Sequence, residues 1–187
     1  MIKIGITGSL SSGKTTAAKI FAGTKHPLFN ADQELKKIYK QKVFMSNVSK
    51  IFKLKNMKNM KSQIKKIIIK NKNSIKLIEN IIHPIVRKQT KTFIKKNKNK
   101  KFAFFEIPLL IENKLMKDYD VIVFINSKKK IRLKRYLKRG KNKKMFYLLD
   151  RRQLLPGKKI KFCDYVINNN KNLKKIKTKI KDIKNKL

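Results

Sequence analysis

Gly8-Ser9-Leu10-Ser11-Ser12-Gly13-Lys14-Thr15 decides how the rest of this chain is read. It satisfies the pattern G-x-x-x-x-G-K-[ST] at every fixed position. These are the residue types a polyphosphate needs. Two glycines let the backbone curl so that successive N–H groups converge on phosphate oxygens. A helix starting at the end of the curl presents its positive dipole end to the same anion. Lys14 is a point charge for the β- and γ-phosphates, and Thr15 offers a hydroxyl to Mg²⁺. Upstream, Ile2, Ile4 and Ile6 alternate with polar or small residues, which predicts a strand. Downstream, Ala17, Ala18 and Phe21 mark the buried side of a predicted helix over 15–22. A chance Gly/Ser turn in a lysine-rich chain supplies Lys14 cheaply, but not both glycines between a strand and a helix.

Beyond the helix, Leu28-Phe29 predict a second strand ending at Asn30-Ala31-Asp32. Helical spacing then dominates residues 33–100, in groups at Leu35, Ile38 and Tyr39, at Ile64, Ile67 and Ile68, and at Ile75, Ile78, Ile81 and Ile82. Pro84 is expected to break or restart the last helix. Phe102 to Glu106 reads as a buried strand stopped by Pro108. The unbroken apolar run Val121 to Ile125 reads as another, typical of a parallel sheet covered on both faces. A basic helix is predicted over Lys128 to Lys138, a flexible hinge or lid tip over Gly140 to Lys144, and a last strand at Tyr165 to Ile167. Ile176, Ile180, Ile183 and Leu187 outline a closing amphipathic helix. Strands alternating with helices predict an α/β fold, a three-layer α/β/α sandwich with a parallel sheet. The expected plan is a single domain, with a core over about 1–32 and 101–187, a helical substrate lobe over about 33–100 and a lid over about 139–158.

The 187 residues carry 52 Lys or Arg against 10 Asp or Glu, a formal charge of +42, with 41% hydrophobic residues. That apolar share is enough for a core and argues against a disordered basic tail. The single cysteine, Cys163, excludes an internal disulfide and a CxxC metal pair. No apolar run reaches the roughly 20 residues of a spanning helix. The N-terminus reads as mature structure rather than a signal peptide, so a cytoplasmic location is the expectation. Lysines are spread through the chain among Asn and Ile, three residues that share A/T-rich codons. Composition bias therefore accounts for much of the charge; nucleic-acid binding and a general attraction for polyphosphates are the alternatives.

A phosphate cradle does not name a reaction, so the few acids matter. Asp32 follows the second strand, whose end lies beside the cradle in a parallel sheet. It can accept a hydroxyl proton or orient magnesium waters, or it can cap the helix starting at Gln33. Glu106 ends the third strand and is either an acid near magnesium or an exposed strand-end acid. Glu112 can cap or hold a basic partner, while Asp118, Asp120, Asp150 and Asp182 read as surface or turn acids. Arg132, Arg135 and Arg139 share a helix face and can stabilise a transferring phosphoryl group, or simply be solvated. His83 is a helix-end histidine or a contact to an anionic substrate.

Read in order, these segments resemble the dephospho-coenzyme A kinase family. The resemblance rests on Ile4 to Thr16, on Asn30-Ala-Asp32, and on Ile78-Glu-Asn-Ile-Ile-His-Pro-Ile-Val-Arg87. It continues through Ile107-Pro-Leu-Leu-Ile-Glu112, Arg132 to Arg135 with Arg139, and Cys163-Asp-Tyr-Val-Ile-Asn-Asn169. It implies phosphorylation of the ribose 3′-hydroxyl of dephospho-coenzyme A by ATP with Mg²⁺. It implies Asp32 as catalytic base, with Lys14 and Arg135 serving the transfer. ATP would be held by Ser11, Ser12, Gly13, Lys14, Thr15 and Thr16, with Arg139 near the phosphates and Asn168 and Asn169 near the adenine. His83 and Arg87, with Asp32, would face the acceptor, and Thr15 and Glu106 would stand at the metal. Three positions depart from the family pattern: Asn30 stands for an aspartate, Ser9 for a glycine, and Lys158 or Lys159 for an arginine. No nucleic acid or membrane partner is expected, and a monomer is. The rival readings are another small kinase, such as one acting on nucleoside monophosphates, and a nucleic-acid-binding NTPase.

Overall fold

A computed structural model describes residues 1–52, 54, 63, 73–170 and 172–187. The alternating isoleucines at the N-terminus become β1 (Ile2–Gly8), the middle strand of a five-stranded sheet. Its neighbours are β3 (Phe102–Glu106) and β4 (Val121–Asn126), with β2 (Leu28–Asn30) outside β3 and β5 (Tyr165–Asn168) outside β4. Every pairing is parallel. The register sets Ile6 against Glu106, Asn30 against Glu106, and Gly8 against Ile125. The chain passes from β1 outward to β2, then from β3 across to β4 on the other side of β1, and in open parallel sheets such a switch point marks the carboxyl end as the place for a ligand.

One face of the sheet is covered by α1 (Lys14–Ala22) and α8 (Leu173–Asn185). Ile4, Ile6, Phe104, Val123 and Ile125 meet Ala17, Ala18 and Phe21, and Ile176, Ile180 and Ile183 close the layer. The predicted closing helix thus exists with its predicted buried face. Phe104 is fully buried and stacks against Phe21 at 5.5 Å between ring centroids. The described residues also form α5 (Lys129–Leu137), α6 (Lys143–Arg151) and α7 (Pro156–Ile160). Helix α6 starts where Asn142 Oδ1 accepts the Met145 N–H, and α7 starts at a proline, which needs no N–H partner there.

The chain divides into two compact units, Met1–Asn30 with Asn97–Leu187, and Ala31–Lys96. The second unit contains α2 (Ala31–Ile38), α3 (Lys42–Ile51) and α4 (Asn73–Lys96). Its core joins Ile38, Phe44 and Val48 to Ile78 and Ile82. Helix α4 runs through Pro84 without a break, contrary to the expectation from sequence. An interior proline costs ~3 kcal/mol. Ile78 and Ile82 before it, with Ile85 and Val86 after it, pack into one apolar cluster that holds both halves in one continuous helix. The predicted helical group at Ile64, Ile67 and Ile68 lies outside the described residues. No helix among the described residues is long and apolar enough to cross a membrane.

Candidate active site

The curl between β1 and α1 is left-handed at two alternate residues, Ser11 (φ 56) and Gly13 (φ 97). This alternation turns successive N–H groups toward one concavity, a nest for an anion. Gly13 is needed twice over. Its φ disfavours a side chain, and a Cβ there would lie 2.1 Å from Asn169 Nδ2. At Gly8 a Cβ would lie 2.4 Å from the Ile125 carbonyl oxygen on the neighbouring strand. Ser11 carries the same left-handed strain without being glycine, at ~1–2 kcal/mol, so its neighbours must hold it.

They do so on both sides. Leu10 N–H donates to Gln153 Oε1 at 2.9 Å, and the Leu10 carbonyl accepts from Arg132 Nη1 at 3.3 Å. The Ser12 carbonyl accepts from Asn169 Nδ2 at 2.7 Å and from Arg135 Nη1 at 3.3 Å. Lys14 is buried and donates from Nζ to the Ser9 carbonyl at 2.9 Å. Ser12 Oγ is wholly buried in the curl with no hydrogen-bond partner among the described residues. A lysine, an unsatisfied hydroxyl and a ring of main-chain amides fit a phosphate group.

The possible metal position lies at the strand ends. Thr15 Oγ1 donates to Glu106 Oε1 at 2.6 Å, and Asn30 Nδ2 donates to Glu106 Oε2. Glu106 is buried, so the reading of it as an exposed strand-end acid is set aside. Giving its proton to Glu106 leaves the Thr15 oxygen with free lone pairs. Such hard oxygen donors suit Mg²⁺, which keeps most of its ligands as water and phosphate oxygens. No group of three or more His, Cys, Asp or Glu that could hold a metal by themselves occurs among the described residues.

Arg135 donates to Ser12, Ser127 and both oxygens of Asn169, so it is fastened at the loop. Loss of water around it, then the charge of Arg139, lowers its pKa. Arg139 is exposed just past α5. Asn169 is buried, and its side chain is committed to the loop and Arg135; Asn168 Oδ1 accepts from Asn126 Nδ2 at 2.9 Å. Thr16 is exposed on the first turn of α1. Asp32 is exposed in the first turn of α2, which begins at Ala31, so Asp32 is a helical residue rather than the cap of a helix starting at Gln33. His83 and Arg87 are four residues apart on α4 and share a face of it, with His83 half-buried and Arg87 exposed.

Two further acids hold basic partners. Asp150, read as a surface acid, pairs with Arg132 Nη1 at 2.5 Å and with Lys129 Nζ at 3.3 Å. Burial works against its charge, but the hydrogen bond and charge of Arg132, then those of Lys129, outweigh it and hold the carboxyl below its ordinary range. Arg132 is therefore a buried arginine committed to Asp150 and to the Leu10 carbonyl. Glu112 does hold a basic partner. Its Oε1 pairs with the fully buried Lys159 Nζ at 2.5 Å and accepts the Leu154 N–H at 3.1 Å. Cys163 is half-buried and donates to the Lys159 carbonyl; burial first, then Asp164, pushes its pKa up to about 11, against the opposing charge of Lys159. A thiol held protonated is a poor nucleophile. Gln153 was missed altogether, since nothing in its neighbourhood distinguishes it from a surface glutamine.

A parallel sheet ending in this curl, with a lysine, a threonine and a buried acid at its mouth, defines a phosphate-loop kinase. The family model described as "CoaE: Dephospho-CoA kinase" matches residues 2–175, so the chain belongs to the dephospho-CoA kinase family and is an enzyme that uses ATP. A protein named dephospho-CoA kinase from Bartonella quintana is 33% identical over 175 residues, 91% of this chain and 90% of that one. One of the same name from Fusobacterium nucleatum is 32% identical over 182 residues, 95% of this chain and 94% of that one. Among solved structures, TT1252 from Thermus thermophilus shares the fold with a TM-score of 0.86 at 21% identity, over 100% of this chain and 97% of that one. Dephospho-CoA kinase from Campylobacter jejuni follows with a TM-score of 0.66 at 22% identity, over 98% and 96% of the two chains.

Proposed function

We propose that the chain transfers the γ-phosphoryl group of ATP to the ribose 3′-hydroxyl of dephospho-CoA, forming coenzyme A. The family match over residues 2–175 carries the reading, and the Thr15–Glu106 contact at the mouth of the curl supports it. The main-chain amides of Ser11 and of Gly13 to Thr16 hold the triphosphate, with Ser12, whose N–H donates to the Ser9 carbonyl, offering its hydroxyl. Lys14 leaves the Ser9 carbonyl for the β- and γ-phosphates. Arg135 and Arg139 offset charge on the transferring group. Thr15 and Glu106 would hold Mg²⁺, which supplies charge neutralisation between the phosphates when bound. Asp32 accepts the proton of the attacking hydroxyl, and His83 and Arg87 bind the anionic acceptor. Asn169 serves the loop and Asn168 the adenine side. Residues 139–158 act as a lid that excludes water, which would otherwise hydrolyse ATP.

We further infer that the enzyme works as a cytoplasmic monomer with no specific nucleic-acid partner, its +42 charge reflecting composition. The test is a steady-state assay with ATP and dephospho-CoA, with the product's phosphate position read by mass spectrometry or NMR. Phosphate at the 3′ position is expected. Faster turnover with a nucleoside monophosphate would move the substrate assignment to the rival kinase class.

A further inference from the structure

We propose that Gln153 is a positioning residue for the nucleotide site: by accepting the Leu10 N–H it keeps Ser11 left-handed and the phosphate nest open before ATP arrives. This rests on the reading of the curl as the ATP site. The Leu10 amide is bound at 2.9 Å by a side chain from just beyond the C-terminal end of α6. The two residues flanking Ser11 are each gripped by side chains, Leu10 by Gln153 and Arg132, Ser12 by Asn169 and Arg135. A left-handed non-glycine residue persists only where its surroundings over-determine it.

Gln153 is itself braced. Its N–H donates to the Asp150 carbonyl at 3.2 Å, and Asp150 is locked to Arg132 and Lys129. The next residue, Leu154, gives its N–H to Glu112, which in turn holds buried Lys159. Arg132 links the two ends by contacting both Asp150 and the Leu10 carbonyl. The segment from Asp150 to Lys159 is thus attached to the phosphate loop and to the turn after β3. Gln153 thus sits at the anchored end of the lid segment, and an acceptor held there can set a loop conformation rather than follow it.

The experiment measures ATP binding by calorimetry, with no acceptor present, so its result does not depend on the substrate assignment. Gln153→Met keeps the length of the side chain and removes the acceptor. It is expected to weaken ATP about 3- to 10-fold, the range for one lost hydrogen bond. The KM for ATP should rise alike, while that for dephospho-CoA stays put. Ser11→Gly provides the rescue, because glycine adopts the left-handed conformation at no steric cost. In the Ser11→Gly background, Gln153→Met should weaken ATP by less than about 2-fold. An unchanged ATP affinity in Gln153→Met, or an equal loss in both backgrounds, overturns the proposal. A lower melting temperature with unchanged ATP affinity would likewise assign Gln153 to stability alone and overturn it.

Discussion

Replacing Gly13 by alanine isolates what the phosphate loop demands of its backbone. The new methyl would stand 2.1 Å from Asn169 Nδ2, so Asn169 must leave. Its departure breaks the bond to the Ser12 carbonyl at 2.7 Å and the one from Arg135 Nη2 to Asn169 Oδ1 at 3.0 Å. Two such bonds, one to a charged donor, contribute about 2–4 kcal/mol. The left-handed φ of 97 adds ~1–2 kcal/mol for any residue with a Cβ. Gly13→Ala should therefore cost about 3–6 kcal/mol in urea unfolding. Gly140→Ala is the internal control. Its φ is 69, but a Cβ there meets nothing within 4 Å, so only the backbone cost of ~1–2 kcal/mol applies. In an Asn169→Ala background, Gly13→Ala should fall to the same backbone cost, because the neighbour it collides with is gone. Equal costs at the two glycines, or a Gly13→Ala cost that ignores residue 169, would refute the reasoning.

Lys159→Met should destabilise the protein by about 2–4 kcal/mol, since breaking a buried pair strands a charge, here tempered by the Leu154 N–H and the partial exposure of Glu112. Adding Glu112→Gln should recover part of that loss in the same urea titration. Asp150 gives a pH signature. Its folded pKa lies below the unfolded value, so its stabilisation is present above the unfolded pKa and is lost as pH falls through the folded one. The stability gap between wild type and Asp150→Asn should be full above about pH 5 and shrink toward acid; a gap that widens toward acid would contradict the pairing.

Much of the core could be read in advance because its signals are local. The isoleucines of β1, the glycines and Lys14 of the curl, the apolar runs of β3 and β4, and the spacing of Ile176, Ile180 and Ile183 each lie within one element. What could not be read depends on partners distant in the chain. The local sequence gives no sign that Lys159 is fully buried, since that follows from Glu112 on another turn. Asp150 looks like a surface acid until α5 and α6 bring Arg132 against it. Pro84 carries a genuine helix-breaking signal, overridden by the packing of Ile78, Ile82, Ile85 and Val86 in one cluster. Asn169 matched a family motif, but its grip on the Ser12 carbonyl required the fold to bring β5 and the loop together. Asp32 could be placed near the end of β2, and the catalytic role proposed for it follows from the family resemblance and from chemistry.

That role is tested most directly by single-turnover kinetics of Asp32→Asn alongside its ATP dissociation constant. The phosphate loop grips ATP without Asp32, so affinity should stay within about 2-fold while the transfer rate drops about 10²- to 10⁴-fold, the span for a lost general base. A transfer rate equal to wild type would contradict the account and move the proton-accepting step to another residue.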